Sequence, residues 1–222
     1  MNSVMMDTTI IIPTLNEEHN IGRLVERLKK LYAVDVMITD DGSSDRTIEV
    51  AQHAGAQVTD RKNEKIKGLT AAVVHAALHI RTENCVVMDA DFQHPPERVK
   101  EIINLLKNNS IVVAERQKII GNWSVMRRLQ STIATGLAYI RIGKKVRDPL
   151  SGFFGIKTEL LNSLEKERWE LRCFKILFAV LKSCKGRDIK IASLNYDFDL
   201  RKRDESKIRL KHVYYFIRNV LT

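Results

Sequence analysis

"VVMDADFQHPPE", residues 86–97, is the stretch on which the reading of the chain turns. An apolar run ends at Met88 and meets two carboxylates, Asp89 and Asp91, one residue apart; Gln93, His94 and two prolines follow. The run reads as a buried strand over 85–91, closed by turn residues. On a strand, side chains two apart share a face, so Asp89 and Asp91 aim together while Ala90 turns away. Two carboxylates this close repel, and one pKa rises unless a cation compensates. A hard divalent ion, Mg²⁺ or Mn²⁺, resolves the conflict, because it takes oxygen ligands, commonly carboxylates with phosphate oxygens. Gln93, two residues further on, would add a carbonyl oxygen or hold a metal-bound water. His94 reads as packing or support, since hard oxygen sites rarely use imidazole. A solvent-exposed acidic turn is the competing reading.

Outward from this stretch, strand and helix signals alternate. "TTIIIP" (8–13) is a β-branched run closed by proline. "NIGRLVERLKKLY" (20–32) sets Ile21, Leu24, Val25, Leu28 and Leu31 on one helical face. "VDVMIT" (34–39) is a second strand, and "SDRTIEVAQHAG" (44–55) a helix with Ser44 as N-cap and Gly55 as C-cap. A strand at 56–60, helices at 68–80 and 95–107, and a strand at 111–114 continue the pattern. Such alternation implies right-handed βαβ units and a largely parallel α/β sheet. The second half is less regular: helix 122–141, strand 151–156, helix 173–184, a strand at 188–198 suited to an edge, and a last helix. On that helix Leu210, Val213, Tyr214, Ile217, Val220 and Leu221 form one stripe. Both packing on the domain and lying on a membrane surface suit it.

Ligands of an open parallel sheet bind beyond the carboxyl ends of its strands. Three acidic clusters fall there: Glu17 in "PTLNEE", Asp40 and Asp41 in "TDDGSSD", and Asp89 with Asp91. Blander readings exist for two of them, a type I turn for "TDDGSS" and a first-turn helix acid for Glu17. Neither G-x-x-x-x-G-K-[ST] nor G-x-G-x-x-G occurs, so phosphates would be handled by metal and basic side chains.

The net charge of +10 is uneven. Residues 115–150 hold eight Lys/Arg against two acids, and residues 201–222 seven against two. Two basic segments on a near-neutral body point to anionic partners, a solvated surface being the plainer alternative. A sequence pI near 9.6 raises nucleic-acid binding. No basic segment is interleaved with stacking aromatics, however, and acidic strand ends repel phosphates, so no nucleic-acid partner is expected. A nucleotidyltransferase would carry a glycine-rich basic loop near the N-terminus, which is absent. No run approaches the roughly 18 apolar residues of a membrane-spanning helix, and the start lacks the basic and apolar regions of a signal peptide. Cys85, Cys173 and Cys184, odd in number and without C-x-x-C spacing, suit buried thiols in a reducing compartment.

The ordered set "IIIPTLNEEHNI", "TDDGSSDRT", "KGLTAA", "MDADFQHPPE", "AERQ", "GNWSVMRRLQS", "VRDPLSGFFGIK" and "RKRDESK" resembles the family-2 glycosyltransferases over residues 8–221, in particular dolichyl-phosphate (polyprenyl-phosphate) mannose synthases. The resemblance implies a GT-A Rossmann-like catalytic domain over 1–200. A basic loop and amphipathic, membrane-interfacial helix would follow over 201–222. It implies metal-dependent, inverting transfer of mannose from GDP-mannose to a polyprenyl or dolichyl phosphate, at the cytoplasmic side of a membrane. A membrane-anchoring subunit is a further implied partner. The glucosyl branch, using UDP-glucose, is the alternative within the family. By motif match, Pro13, Leu15 and Glu17 would contact the nucleoside, with Thr39 and Asp41 beside the base. Asp89, Ala90, Asp91 and Gln93 would hold metal and diphosphate, and Arg116, Arg201 and Lys207 would reach the phosphates. Arg127 and Ser131 would take the acceptor phosphate. The sequence departs from the pattern at Leu15, where an aromatic is common, at Asp204, in place of glycine, and at Ala179, in place of a frequent Glu. It has no Q-x-x-R-W.

Overall fold

A computed structural model describes residues 7–120, 125–199 and 210–221, with side chains at 7–117, 131–167, 169–197 and 214–221. Seven strands form one sheet: β1 (Thr8–Thr14), β2 (Asp35–Asp40), β3 (Gln57–Asp60), β4 (Asn84–Val87), β5 (Ile111–Ile120), β6 (Phe154–Lys157) and β7 (Ile191–Asp199). Their order is β3-β2-β1-β4-β6-β5-β7. All run parallel except β6, which lies antiparallel between β4 and β5. The helices are α1 (Ile21–Leu31), α2 (Thr47–His53), α3 (Leu69–Ala77), α4 (Val99–Leu106), α5 (Val125–Ile142), α6 (Thr158–Ser163), α7 (Ile176–Ser183) and α8 (Leu210–Leu221). The expected α/β architecture with a largely parallel sheet and flanking helices is the one found.

The apolar runs explain the layering. β1 is buried on both faces, and Ile10, Ile11 and Ile12 are all fully inaccessible. A strand covered by helices on both sides needs a continuous apolar run rather than alternation. Ile11, Val87, Val113 and Phe154 point into the layer that holds α3 and α7. Ile10, Ile12, Val86, Met88 and Val112 point into the layer of α1 and α4. Gly155 lets α4 lie directly on β6, since a Cβ there would meet Leu106 Cδ1 at 2.8 Å and run into Ile102. All three cysteines are buried thiols.

Several boundaries differ from the sequence reading. β4 ends at Val87, short of the strand expected over 85–91. The Met88 N–H still reaches Ile11 O at 3.2 Å, after which the chain leaves the sheet, and Phe92 takes φ +60°. Asp89 and Asp91 therefore stand on a loop, and strand alternation does not explain their relation. Ser44 is no N-cap: its N–H donates to Asn16 Oδ1 at 2.8 Å. Arg46 stands at the N-cap without a side-chain cap bond, and Asp45, just before it, accepts from the Thr47 N–H at 3.0 Å. Gly55, at φ +86°, does close that helix, in the left-handed backbone region that glycine adopts without strain. β5 runs to Ile120 rather than 114 because β7 pairs along its whole length. Trp169, 5% exposed, belongs to the core.

The stripe on α8 is split: Val220 packs against the core, and the Leu210 and Val213 side chains lie outside the described residues. Phe216 and the fully buried Asn219 turn inward. Phe216 packs on Phe178 of α7, ring centroids 5.6 Å apart. Lys182 donates to Asn219 O and Oδ1 at 2.9 and 3.0 Å. Tyr214, Ile217 and Leu221 are exposed, as are Ile133 and Ile140 on α5, which α8 touches. No described helix is long and apolar enough to cross a membrane.

Candidate active site

β1, β2 and β4 are mutually parallel, so the residues after them gather at one edge of the sheet. Side-chain hydrogen bonds knit the first two loops together. Asn16, at φ +54°, accepts from the Ser44 N–H, and its own N–H donates to Ser43 Oγ at 2.7 Å. The Glu17 N–H donates to Thr47 Oγ1 at 2.7 Å, and Glu17 Oε2 accepts from Asn20 Nδ2 at 3.1 Å.

The two aspartates of "TDDGSSD" divide the work. Asp40 is a turn organiser: it accepts from Thr14 Oγ1, the Gly42 and Ser43 N–H groups and Ser43 Oγ at 2.6–2.9 Å. Asp41 instead pairs with the buried Arg61 and accepts the Gly68 N–H at 2.6 Å. Burial pushes the Asp41 carboxyl above its usual range, against the pull of Gly68 and Arg61. Thr39, fully buried, lies beside Pro13 in the sheet register. Leu15 stands on the rim, 43% exposed. Pro13, Leu15, Glu17, Thr39 and Asp41 thus border one corner.

The second corner forms around the aspartate loop. Asp91 Oδ1 accepts the Gln93 N–H at 3.1 Å. The Asp89 N–H donates to His94 Nδ1 at 3.0 Å, which places the ring proton on Nε2, 3.8 Å from Asp89 Oδ2. Burial pushes the His94 imidazole down despite the nearby Asp89 and Asp91, so the ring is neutral. It stacks on Phe153 at 5.1 Å. His94 therefore orients Asp89 rather than binding an ion. Ala90 is buried among core residues, so only its backbone can serve the site. Asp91 and Gln93 are 8% exposed, whereas the Asp89 side chain is 36% exposed.

Arg116 extends from β5 toward this corner and grips Asp148 with two hydrogen bonds, Nε at 2.5 Å and Nη2 at 2.8 Å. Burial raises the Asp148 carboxyl, but Arg116 outweighs it and holds the group below the usual carboxylate range. Ser131 lies partly exposed on α5; the Arg127 side chain, and all of Arg201 and Lys207, lie outside the described residues. The sequence reading missed three contributors: Arg61, Asp148 and Lys175. The "VRDPLSG" and "CFKIL" stretches contain two of them, but Asp148 reads as a turn residue and Lys175 as a polar break in a buried helix.

Among the described residues, no three His, Cys, Asp or Glu side chains form a ready-made metal cage. The donor chemistry nonetheless fits Mg²⁺ or Mn²⁺. Two carboxylates and an amide oxygen suit a hard ion that draws its remaining ligands from phosphate and water, and the one nearby imidazole is committed to Asp89.

The acidic residues thus gather at the carboxyl edge of a seven-stranded α/β sheet, with the Arg116–Asp148 pair beside them. The model for "Glycosyl transferase family 2" matches residues 9–164, and the chain belongs to that family. It is 32% identical over 226 residues to the dolichol-phosphate mannosyltransferase of Pyrococcus furiosus, covering 97% of this chain and 63% of that protein. It is 28% identical to the Saccharomyces cerevisiae dolichol-phosphate mannosyltransferase, covering 97% of this chain and 86% of that one. Among solved structures, glucosyl-3-phosphoglycerate synthase of Mycobacterium tuberculosis with Mg²⁺ and UDP superposes with a TM-score of 0.72. That match has 23% identity over 96% of this chain and 76% of the other, a likeness of fold.

Proposed function

We propose that this chain transfers mannose from GDP-mannose to a polyprenyl or dolichyl phosphate, with inversion at the sugar. The observation that carries the reading is the Asp89/Asp91 loop at the carboxyl edge of β4, flanked by the Arg116–Asp148 pair. The two dolichol-phosphate mannosyltransferases similar over nearly the whole chain support it. Asp89, Asp91 and Gln93 would hold a divalent ion, which when bound offsets charge on the departing diphosphate. Pro13, Leu15, Glu17, Thr39 and Asp41 would border the nucleoside, with Arg116, Arg201 and Lys207 directed at the phosphates. Arg127 and Ser131, one helical turn apart on α5, would seat the acceptor phosphate.

The acceptor needs no general base. A phosphate monoester has a second pKa of about 6 and is mostly dianionic at neutral pH. The difficulty is to bring two anions together, and the basic stretch around Arg127 and Arg128 supplies attraction and orientation. The exposed apolar side chains of α5 and α8, which lie within the two basic segments, suit a peripheral position on an anionic membrane where such an acceptor resides. The test is transfer of labelled mannose from GDP-mannose to a short polyprenyl phosphate with Mn²⁺, run beside UDP-glucose. Lipid-linked mannose is expected; label appearing only from UDP-glucose would move the protein to the glucosyl branch.

A further inference from the structure

Lys175 is a charged residue inside "CFKILFAVL", directly before the apolar helix α7. It is half-buried, and its Nζ donates to Leu150 O at 2.9 Å; burial and then the like charge of Arg116 push its ammonium down, while Asp148 and Asp89 pull it up. Taking an ammonium out of water costs several kcal/mol, so a lysine here needs a compensating partner. Its hydrogen bond goes to loop 148–153, and its ammonium also stands 4.9 Å from the centre of the Phe174 ring.

That loop packs against Asp89. Arg116 holds Asp148, and Ser151 Oγ donates to Ala114 O at 2.7 Å. Gly152 then lies directly against the acidic corner: a Cβ there would stand 2.9 Å from Asp89 Oδ2 and 3.1 Å from His94 Cε1. Lys175 grips the loop at Leu150, between these two anchors. Its own backbone is fixed from the other side. The N–H groups of Thr70 and Ala71, in the first turn of α3, donate to Cys173 O and Leu171 O at 3.1 and 3.0 Å. Gly68, at φ +139°, leaves no room for a Cβ against the Arg172 backbone at 3.0 Å. Gly68 is the residue whose N–H binds Asp41. One continuous set of contacts thus runs from Asp41 through Gly68 and residues 171–173 to Lys175, loop 148–153 and Asp89.

We infer that Lys175 is a positioning residue of the donor site, holding loop 148–153 against Asp89 and adding positive charge to the field that Asp89 feels. The inference rests on the donor site proposed above. Its charge favours an ionised Asp89 and the diphosphate that must approach it.

The experiment compares the parent protein with Lys175→Gln, which retains a donor for Leu150 O without the charge, and Lys175→Met, which loses both. Binding of GDP and of UDP with Mn²⁺ is titrated, together with kcat, the KM for polyprenyl phosphate and Tm. Lys175→Gln is expected to weaken nucleotide binding by about tenfold or more, with the acceptor KM and Tm close to those of the parent. Unchanged nucleotide affinity in Lys175→Gln overturns the inference, as does a loss that falls equally on donor and acceptor together with Tm. If Lys175→Met does not fold, the glutamine variant alone decides. A parent protein that binds neither nucleotide overturns the donor-site reading itself, and this inference with it.

Discussion

Asp91 and Gly152 test the acidic corner from opposite sides. Asp91 turns one carboxylate oxygen to the Gln93 N–H, so Asp91→Asn retains a hydrogen-bond acceptor there while removing the charge. The fold is expected to survive, with Tm near that of the parent, whereas the Mn²⁺-dependent thermal stabilisation by GDP should vanish. Stabilisation that persists in this variant would remove Asp91 from the metal site. Gly152→Ala adds a methyl 2.9 Å from Asp89 Oδ2. The carboxylate is the side that can yield, so donor binding should weaken by about threefold to tenfold while stability falls by about 1 kcal/mol. Titration of nucleotide with Mn²⁺, beside a denaturant melt, separates the two effects. At this scale the sequence identified Asp89, Asp91 and Gln93 as a group. It did not reveal that Asp40 is committed to a turn while Asp41 meets Arg61, because adjacent aspartates look alike until Thr14, Ser43 and Arg61 are placed around them.

Among the elements, the join of β5 to loop 148–153 matters most. The Arg116–Asp148 pair is shielded and bidentate, so Asp148→Asn should cost about 3 kcal/mol at pH 7 by leaving a buried guanidinium without its counter-charge. The pH dependence has a fixed sign. Asp148 titrates lower in the folded chain than in the unfolded one. Its contribution is therefore present above the unfolded carboxylate pKa of about 4 and is lost as pH falls through the folded value. The gap in Tm between parent and Asp148→Asn should hold from pH 7 to 5 and close below pH 4; a gap that is constant across this range would contradict the pair's role. The sequence located most elements because period-2 and period-3.6 patterns are local. It missed α6 and extended β4 too far, since "CVVMDAD" contains nothing to mark where Met88 leaves the sheet.

For the whole molecule, the question is what the outward faces of α5 and α8 meet. Tyr214, Ile217 and Leu221 lie on the exposed side of a helix whose other side is anchored through Phe216 and Asn219. An anionic membrane would accept this apolar face together with the basic segments. Ile217→Asp should leave Tm nearly unchanged and reduce co-sedimentation with phosphatidylserine-containing vesicles by about fivefold. The parent's binding should also weaken in high salt. Equal binding by parent and variant would assign the face another role.

The α/β class, the alternation of elements and the acidic strand ends were determined by the sequence alone, because each depends on residues near one another in the chain. Tertiary structure decided the rest. It set β6 antiparallel, left Tyr214, Ile217 and Leu221 of α8 exposed while Val220 packs inward, joined Arg116 to Asp148 across 32 positions and tied Lys175 to Leu150 in the loop that meets Asp89. These are pairings between distant segments, fixed by packing and by the need of each buried charge for a partner, and neither periodicity nor spacing records them.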